Sequence, residues 1–575
     1  MNPSTALAAL VVDALAGAGV RQVLLCPGSR SAPLAYELAR RQLPGLHVRH
    51  DERVAGFTAL GVSKGGPGLG AVVTTSGTAV ANLFPAVLEG HHANVPLVVV
   101  TADRPARLRG TWANQTSELQ AGLFGDAVRA SLDLADDEAA ADPVAARTAL
   151  DRVLGAALGR AGRRPGPVHL NLGFDEPLTP PDEGPLPEPT VSRRPYPAPP
   201  EPAVVPPLPA GPRTVVLAGD GASVEAAWLA ETAGWPLLAE PSSGARVGPN
   251  AIGPYRLLLE LPELGGRVER VVAFGRPTLS RPVTRLLGRD DVEVLLVSRY
   301  PDWPEPGRPV VRLSAVPWPT GSDPLAGDPP PTPAEPDEWL SGWLRAGAAA
   351  SAALDAVLDR EPAITGPLVA REVAAGRRCD VLLAGASNPI RDLDLAAAIR
   401  TRTSSLRAGD LPVRANRGLS GIDGTISTAI GLALGGERVR VLVGDVTFLH
   451  DAAALLLGPH ERRPDLQVIV LNDNGGGIFS LLEHGERALH GEAQRRTFER
   501  VFGTPHTADL AALCRGYGVG HRRVGDLADL RRAVADLPTG ISVVEVVADR
   551  AGLRDLHGRI RAAVHAAARD ALGPG

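Results

Sequence analysis

Residues 439–477 read VRVLVGDVTFLHDAAALLLGPHERRPDLQVIVLNDNGGG, a stretch in which two short apolar runs flank a longer segment. The runs, VRVLVG (439–444) and LQVIVLN (466–472), are rich in β-branched residues and do not alternate with polar ones. Continuous apolar runs of this length are typical of strands in a parallel sheet that is covered on both faces. This stretch therefore predicts part of an α/β fold.

The same alternation of apolar runs with helical patterns extends over the rest of the chain in three groups. In the first group, helices are predicted near 33–41, 53–64 and 78–91. We therefore predict an α/β protein with three doubly wound, mainly parallel-sheet domains, whose ligands lie beyond the carboxyl ends of the strands. The further candidate strands are 20–26, 46–50, 70–75 and 96–102, then 214–219, 268–274 and 292–298, and finally 380–385 and 541–547.

Proline marks the predicted domain boundaries. Residues 177–212 and 301–336 are too rich in proline for a helix or a central strand, so we interpret both as extended linkers. Within the second linker, the run VVRL could form a short strand. The predicted domains, each of a plausible size, are an N-terminal one at 1–180, a central one at 181–345 and a C-terminal one at 346–575.

The composition is that of an ordinary soluble enzyme, with 575 residues, 44% of them apolar and 21% charged. No apolar run approaches the roughly 18 residues of a membrane span, and the N-terminus lacks the basic region of a signal peptide. Three cysteines, Cys26, Cys379 and Cys514, are too few for a disulfide framework, which favours a cytoplasmic location. A net charge of −5 argues against a nucleic-acid partner.

Lys64 is the only lysine, so all the other basic residues, of 59 in total, are arginines. One interpretation is codon usage in a GC-rich genome, which would also explain the 64 glycines and 54 prolines. The other is that some arginines bind anions, because a guanidinium group matches a carboxylate with two parallel hydrogen bonds. Composition leaves both interpretations open.

Polar residues follow both strands of the opening stretch. Gly444-Asp445 ends the first, and Asn472-Asp473-Asn474, followed by three glycines, ends the second. Since a parallel sheet opens its crevice at the carboxyl edge, an aspartate, a carboxamide and a backbone carbonyl of the loop can supply hard oxygen ligands there. Mg²⁺ takes such ligands together with a diphosphate, which glycines allow to approach the backbone closely. The alternative is a pair of ordinary structural turns.

This Gly-Asp…Asn pattern resembles the diphosphate-binding signature of thiamine diphosphate enzymes, whose three-domain plan is also similar. The resemblance implies a carboxylic acid against N1′ of the aminopyrimidine, which promotes proton loss from C2 of the thiazolium ring. The candidate is Glu52 in HVRHDERVAGF (47–57), at the end of a predicted strand and the start of a helix. An acidic residue can also lie there only because it interacts favourably with the helix dipole. The metal motif in the same chain favours the catalytic interpretation.

Further segments narrow the resemblance to the family of 2-succinyl-5-enolpyruvyl-6-hydroxy-3-cyclohexene-1-carboxylate (SEPHCHC) synthases of menaquinone biosynthesis, or MenD. Together, the SRS-P, DER-x-x-G and NRG-x-SGIDG motifs distinguish this family from benzoylformate decarboxylase or acetolactate synthase. In the central domain the resemblance is faint and is carried mainly by FGRPTLSRPV (274–283). The other segments are CPGSRSAPL (26–34), DERVAGFTALGVSK (51–64), TSGTAVANLFPAVLE (75–89), TADRP (101–105), ANQT (113–116), GASNPIRDLD (385–394), NRGLSGIDGTISTAIG (416–431), GDVTFLHD (444–451) and LNDNGGGIFSLL (471–482).

The resemblance implies a transferase that uses thiamine diphosphate with Mg²⁺ or Mn²⁺. Such an enzyme decarboxylates 2-oxoglutarate and adds the resulting succinyl carbanion to isochorismate, which gives SEPHCHC and CO₂. Two alternatives stay open at this point. The chain could be another thiamine-dependent carboligase or decarboxylase with a different acceptor, or a non-catalytic binding protein that retains the fold.

The resemblance also assigns residues to roles, with the N-terminal domain binding the pyrimidine and the C-terminal domain the diphosphate and metal. Ser280 departs from the family pattern, and its role is left open. The substrate-binding residues would be Ser29, Arg30, Arg104, Asn114, Gln115, Arg281, Ser387, Arg391 and Arg417. The cofactor would contact Glu52, Ile422, Gly444, Asp445, Asn472, Asn474, Gly475, Gly476 and Ile478, with Asp445, Asn472 and Asn474 at the metal.

Assembly is a further implication of the resemblance. In these enzymes the catalytic glutamate of one chain meets the diphosphate apparatus of another, so each active site lies between subunits. We therefore expect Glu52 to meet the 444–474 region of a partner chain. The chain would form at least a homodimer, with a tetramer as the alternative.

Overall fold

The computed structural model describes residues 2–41, 45–66, 68–180, 205–319, 336–376, 378–399 and 412–573. These residues form three sheets in which every strand pair is parallel, and helices cover the sheets. The interior strands are buried along their length, as expected for sheets covered on both faces. The predicted fold class, α/β with three parallel-sheet domains, is confirmed.

The first sheet has six strands in the order β2-β1-β3-β4-β6-β5. Its strands are β1 (Val20–Leu25), β2 (Leu46–Val48), β3 (Leu69–Thr74), β4 (Leu97–Asp103), β5 (Ser131–Ala135) and β6 (Pro167–Gly173). Its helices are α1 (Pro3–Ala18), α2 (Ala32–Arg40), α3 (Glu52–Gly65), α4 (Thr78–Ala81), α5 (Phe84–Ala93), α6 (Asp136–Ala141) and α7 (Pro143–Ala157). The single helix predicted near 78–91 is thus two helices, α4 and α5.

The second sheet has five strands in the order β11-β10-β9-β7-β8. They are β7 (Thr214–Ala218), β8 (Leu237–Ala239), β9 (Arg270–Phe274), β10 (Glu293–Val297) and β11 (Val311–Leu313), and β11 is the short strand that VVRL could form. The helices are α8 (Glu225–Ala233), α9 (Tyr255–Leu258), α10 (Arg281–Leu287) and α11 (Glu338–Leu358). The predicted boundary at 345 falls inside α11, whose Trp343 and Leu354 pack in the core of this sheet.

The third sheet has six strands in the order β13-β12-β14-β15-β17-β16. They are β12 (Val381–Ala384), β13 (Val413–Ala415), β14 (Val439–Gly444), β15 (Leu466–Asn472), β16 (Gly520–Val524) and β17 (Ile541–Val547). The helices are α12 (Gly366–Ala375), α13 (Asn388–Ala396), α14 (Thr425–Leu434), α15 (Asp445–His450), α16 (Glu483–Ala488), α17 (Glu492–Phe498), α18 (Leu510–Gly516), α19 (Leu527–Ala535) and α20 (Leu553–Leu572). The strand order repeats that of the first sheet, counted from each sheet's first strand.

The first and third sheets meet where α3 crosses α14. Gly61 and Gly431 form the crossing point, since a Cβ atom on Gly61 would lie 2.1 Å from the Thr428 carbonyl oxygen and one on Gly431 would lie 2.0 Å from that of Thr58. Val54, at the start of α3, is buried in the core of the third sheet. The first and third domains therefore pack closely against each other along α3 and α14.

Much of both predicted linkers, 181–204 and 320–335, lies outside the described residues. The described part of the second linker is more than a spacer, because Trp303 and Trp318 are buried against the second sheet. No helix in the described ranges is long and apolar enough to cross a membrane. The three cysteines are buried and form no disulfide bond with one another.

Candidate active site

The third sheet places Asp445 at the end of β14 and Asn472 at the end of the neighbouring strand β15. Asp445 begins α15 and is only 1% exposed. Its Oδ1 accepts a hydrogen bond from the Val446 amide at 2.8 Å, and its Oδ2 accepts one from the Gly475 amide at 2.7 Å. The loop after β15 therefore folds back onto the Asp445 carboxylate, and the residues predicted from strand ends are adjacent.

Asn472 and Asn474 have fixed orientations. The Asn472 amide donates to Glu545 Oε1 at 2.7 Å, while its Oδ1 accepts from the Asn474 backbone at 3.2 Å. Asn474 has a φ of 60°, and Arg550 donates to its backbone carbonyl. Oxygen atoms of one carboxylate, one carboxamide and one carbonyl are thereby held at the same corner of the sheet.

This set of oxygen atoms fits a divalent cation and a diphosphate. The described ranges contain no group of three or more His, Cys, Asp or Glu side chains that could hold a metal ion. A cation at this corner of the sheet would therefore have one carboxylate and otherwise uncharged oxygen atoms as its protein ligands. Burial and the neighbouring Asp445 carboxylate raise the pKa of Asp473 to about 7, and a cation bound beside it would favour its ionised form. A Cβ on Gly444 would meet no atom within 4 Å, so the strand end faces open space.

Gly475 is required by its close surroundings. Its φ is 131°, and a Cβ there would lie 1.9 Å from the Gly503 carbonyl oxygen. Only glycine permits both the backbone conformation and this approach. The neighbouring Gly476 amide donates to the same carbonyl at 2.8 Å, so the loop after β15 is held against the 499–503 turn.

Glu52 is the first residue of α3, directly after the N-cap Asp51, whose side chain accepts from the Val54 amide at 3.1 Å. Burial, together with the carboxylates of Glu52 and Asp51, raises the pKa of the Cys26 thiol, which places Glu52 near the end of β1. Among the hydrogen bonds of the described residues, none joins Glu52 to Asp445. The adjacent contact is from Arg53, whose Nη2 donates to the His450 carbonyl at 2.9 Å.

In the first sheet, two of the predicted substrate arginines are neighbours. Arg30 Nη1 donates to the Phe174 carbonyl at 2.9 Å, and Arg104 Nη1 donates to Ser76 Oγ at 2.7 Å and to the Gln115 carbonyl at 2.9 Å. Burial and the nearby Arg30 guanidinium lower the pKa of Arg104. The other three predicted residues of this domain, Ser29, Asn114 and Gln115, are exposed.

In the third sheet, Arg391 and Arg417 form a second pair of neighbouring guanidinium groups. Arg391 Nη1 donates to the Ser387 carbonyl at 2.7 Å, and Arg417, which is 4% exposed, donates to Thr278 Oγ1 at 3.0 Å. Burial and the adjacent Arg417 lower the pKa of Arg391 to about 10. Within the described part of the chain, neither group is ion-paired with a carboxylate. Two adjacent, largely buried cations favour an anionic ligand between them.

Comparison with known proteins decides the family. Residues 5–123 match the N-terminal and residues 410–546 the C-terminal TPP binding domain of thiamine pyrophosphate enzymes. Proteins named SEPHCHC synthase are similar along nearly the whole length. One from Kineococcus radiotolerans is 51% identical over 99% of this chain and 100% of its own, and one from a Nocardioides species is 49% identical over 97% and 98%. The chain belongs to the SEPHCHC synthases.

Arg281 has a different setting from the other arginines assigned by resemblance to the SEPHCHC synthases. It is 63% exposed and pairs with Glu483 of α16 at 2.6 Å, so it bridges the second and third domains at the surface. Ser280 is at the N-cap position of α10 without a side-chain capping bond. Ile422 and Ile478 are both partly exposed beside the predicted cofactor motifs.

Four of the six described non-glycine residues with positive φ lie in the motifs that resemble the SEPHCHC synthases: Gln115 at 58°, Ser387 at 76°, Ser420 at 61° and Asn474 at 60°. Such backbone conformations are unfavourable for residues with a side chain, and they cluster at sites where position matters more than stability. Their concentration at these strand ends supports the region as the functional site of a SEPHCHC synthase.

Three residues at the site were not predicted from the sequence. His506 Nε2 lies 2.9 Å from Asp445 Oδ2, Glu545 orients Asn472, and Arg550 holds the loop after β15. Glu545 carries a signal that could have identified it, since it is the one charged residue in the mostly apolar strand ISVVEVV. His506 and Arg550 come from loops with no pattern that marks them.

Proposed function

We propose that this chain decarboxylates 2-oxoglutarate and joins the remaining four-carbon unit to isochorismate, with release of CO₂ and SEPHCHC. The names of its relatives and the two matched thiamine pyrophosphate domains support this reaction. The structural observation that carries it is the pair of neighbouring guanidinium groups of Arg391 and Arg417. Both substrates are dicarboxylates, and a largely buried arginine pair is suited to hold carboxylates where water is excluded.

For the cofactor, we propose that Asp445, the Asn472 carboxamide and the Asn474 carbonyl hold Mg²⁺ or Mn²⁺, which in turn holds the diphosphate. When bound, thiamine diphosphate supplies the electron sink that makes loss of CO₂ from a 2-oxo acid possible. Glu545 accepts a hydrogen bond from the Asn472 side-chain amide at 2.7 Å, and this bond keeps the Asn472 carboxamide oxygen directed to the metal. Gly444 leaves room for the phosphates, because a Cβ there would meet no atom within 4 Å, and Gly475 and Gly476 shape the phosphate-binding loop by letting it pack against residues 499–503.

Glu52 is proposed as the catalytic acid, holding a proton against N1′ of the aminopyrimidine. Its position at the start of α3, near the end of β1, places its carboxyl group at the edge of the first sheet where ligands of such folds bind. In this proposal the residue acts on a cofactor bound to the third domain of a partner chain. The enzyme is then at least a homodimer. A cytoplasmic location, expected from the cysteine content, belongs to the same proposal.

The remaining substrate contacts are proposed for both domains. Arg30, Arg104 and Gln115 lie together at the first sheet, so they can bind one end of a dicarboxylate. Ser29, Asn114 and Arg281 are exposed and would contact a substrate only at the mouth of the site. Ser387 acts through its backbone by fixing Arg391, and Ile422 and Ile478 supply apolar walls.

The direct test is an assay of isochorismate consumption and CO₂ release with purified enzyme, thiamine diphosphate, Mg²⁺ and 2-oxoglutarate. Both signals should depend on all four additions. Omission of each component in turn is the control. Isochorismate left unconsumed under complete conditions would refute the proposal, and a preference for pyruvate or benzoylformate over 2-oxoglutarate would favour a different carboligase.

A second test addresses the arginine pair. Arg391→Ala and Arg417→Ala should each raise KM for a carboxylate substrate, because removal of a charge-assisted hydrogen bond in a closed site costs on the order of 2–4 kcal/mol. The half-buried Arg312 in the second domain, paired with Glu305, offers a control, and Arg312→Ala should leave both KM values unchanged. KM values within a factor of about two of wild type for both active-site variants would remove the pair from substrate binding.

A further inference from the structure

The loop at residues 415–419 begins at the last residue of edge strand β13 and lies where the three domains meet. It carries Arg417, yet most of the side chains that hold the loop belong to other domains. Lys64 of α3 and Glu89 of α5 come from the first domain, and Thr278 comes from the second. We refer to Lys64 and Glu89 as the loop clamp.

Glu89 binds the backbone directly after Arg417. Its Oε1 accepts from the Gly418 amide and its Oε2 from the Leu419 amide, both at 2.8 Å, and the side chain is 4% exposed. Hydrogen bonds to an ionised carboxylate are about twice as strong as those between neutral groups. Gly418 permits the approach, since a Cβ there would lie 2.4 Å from the Glu89 carbonyl oxygen.

Lys64 binds the backbone directly before Arg417. Its ammonium group donates to the Ala415 carbonyl and to Asn416 Oδ1 at 3.1 Å, and it lies 3.9 Å from Glu89 Oε1. A compact ammonium can serve several converging acceptors, whereas the planar fork of arginine needs more room and a different geometry. The only lysine of the chain thus lies where several acceptors converge on one cation.

The second domain completes the setting of Arg417. Its Nη2 donates to the Thr278 carbonyl at 3.3 Å and to Thr278 Oγ1 at 3.0 Å. The next residue, Leu279, donates its amide to the buried Glu240 at 2.8 Å. Within the described ranges, Arg417 Nε is buried without a hydrogen-bond partner. The guanidinium group is therefore anchored along one edge and keeps donor capacity for a ligand.

We propose that Lys64 and Glu89 are positioning residues that hold Arg417 in place for a substrate carboxylate. The inference rests on the proposed function, because it requires Arg417 to bind substrate. It adds that the first domain controls the substrate affinity of the third through the backbone on either side of Arg417. A merely structural contact between domains would change stability without a selective change in KM.

The test is a double-mutant cycle on the holoenzyme with Lys64→Met, Arg417→Ala and the double variant. Lys64→Met should raise KM on the order of tenfold for the same substrate that Arg417→Ala affects, since a small misplacement of a binding group is costly. The kcat and the affinity for thiamine diphosphate should change far less. In the Arg417→Ala background, Lys64→Met should have almost no further effect on KM. An undiminished effect there would overturn the proposal.

Glu89→Gln provides a second variant if Lys64→Met folds poorly, because glutamine keeps one acceptor for the Gly418 amide and loses the other. It should raise the same KM and speed hydrogen exchange in a peptide that covers 415–419. The matched control is Glu37→Gln, which also neutralises a buried glutamate, one paired with Arg41 inside the first domain. Glu37→Gln should change neither readout.

The outcomes separate the two proposals. If wild type consumes no isochorismate, the proposed function fails and the loop clamp fails with it as a device for substrate affinity. If wild type is active and Arg417→Ala raises KM, but Lys64→Met and Glu89→Gln leave KM and hydrogen exchange at 415–419 unchanged, the loop clamp alone is overturned.

Discussion

The first and third sheets share one strand order, yet the residues at their equivalent strand ends differ. Strand β2 of the first sheet leads to Glu52, and its counterpart β13 in the third sheet leads to Arg417. Ser76 follows β3, and Asp445 follows its counterpart β14. Arg104 follows β4, and Asn472 ends its counterpart β15. One scaffold therefore presents two different sets of groups at the same edge.

The two sets differ in their balance of charge. The end of the first sheet combines Glu52 with the guanidinium groups of Arg30 and Arg104, while the end of the third has the carboxyl groups of Asp445 and Asp473 in addition to its own arginine pair. A cofactor with a ring at one end and a diphosphate–metal group at the other needs such a division. The shared strand order thus determines where the functional groups lie, and the residue that follows each strand determines which chemical group is placed there.

The largest expected effect comes from Glu52→Gln, which removes the acid on the side of the first sheet. Loss of a general acid–base group should lower turnover by about 10²–10⁴-fold. Thiamine diphosphate binding, measured by calorimetry, should stay close to wild type because the diphosphate apparatus is on the third sheet. Turnover within a factor of about two of wild type would refute the assignment of Glu52.

The corresponding change on the third sheet is Asp445→Asn, which should weaken Mg²⁺-dependent binding of thiamine diphosphate. Glu545→Gln removes only an outer partner of Asn472, and loss of such partners costs roughly 10–100-fold in affinity. Asp445→Asn should therefore have the larger effect in calorimetry at fixed Mg²⁺. Glu305→Gln, at an exposed position, is the control. Unchanged affinity in Asp445→Asn would remove it from the metal site.

The joint between the two sheets is tested by Gly61→Ala. The added methyl group would lie 2.1 Å from the Thr428 carbonyl oxygen, so α3 and α14 must move apart. Overpacking of this kind costs about 1–3 kcal/mol or more in the free energy of unfolding. The control is Gly558→Ala, on the exposed face of α20, where an added Cβ would meet nothing within 4 Å. This change should stabilise the folded protein slightly, because alanine is more favourable than glycine within a helix. A denaturation midpoint unchanged by Gly61→Ala would contradict the close crossing.

The smallest expected effect concerns Glu240, on the second sheet and outside the comparison. Burial raises its pKa from 4.5 to about 8 in the folded state. The contribution of its protonated form to stability is thus complete below pH about 4.5 and is lost as pH rises through about 8. A glutamine at this position does not titrate. The melting temperature of Glu240→Gln minus that of wild type should therefore increase as the pH rises from 5 to roughly 8.5. A constant difference across this range would contradict the raised pKa.

The sequence predicted the interior strands well, because runs such as 439–444 are covered on both faces and are apolar except for Arg440. It missed strands that are short, that lie exposed at a sheet edge or that are interrupted by polar residues. β13 has three residues, and β16 (GHRRV) is an exposed edge strand that contains one residue of apolar character at its end. β6 was missed because His169 and Asn171 interrupt its pattern, although both are buried and hydrogen-bonded to Thr101.

Site residues at strand ends could be predicted, because parallel strands bring Asp445 and Asn472 to one edge whatever lies between them. Their roles stay predictions, as do the domain boundaries. Groups that act from a distance in sequence could not be found, since nothing local marks Glu89 or Arg550 as partners of loops hundreds or tens of residues away. Only the folded chain shows which backbone groups they bind.

The single lysine has a practical consequence for chemical labelling. Because Lys64 is the only side-chain amine and is 9% exposed between Ala415, Asn416 and Glu89, an amine-acylating reagent meets no accessible lysine on the native enzyme. Acylation at Lys64 would require the first and third domains to separate locally. The rate of that one reaction, followed by the mass of a single peptide, would report the opening of the domain junction without any introduced probe.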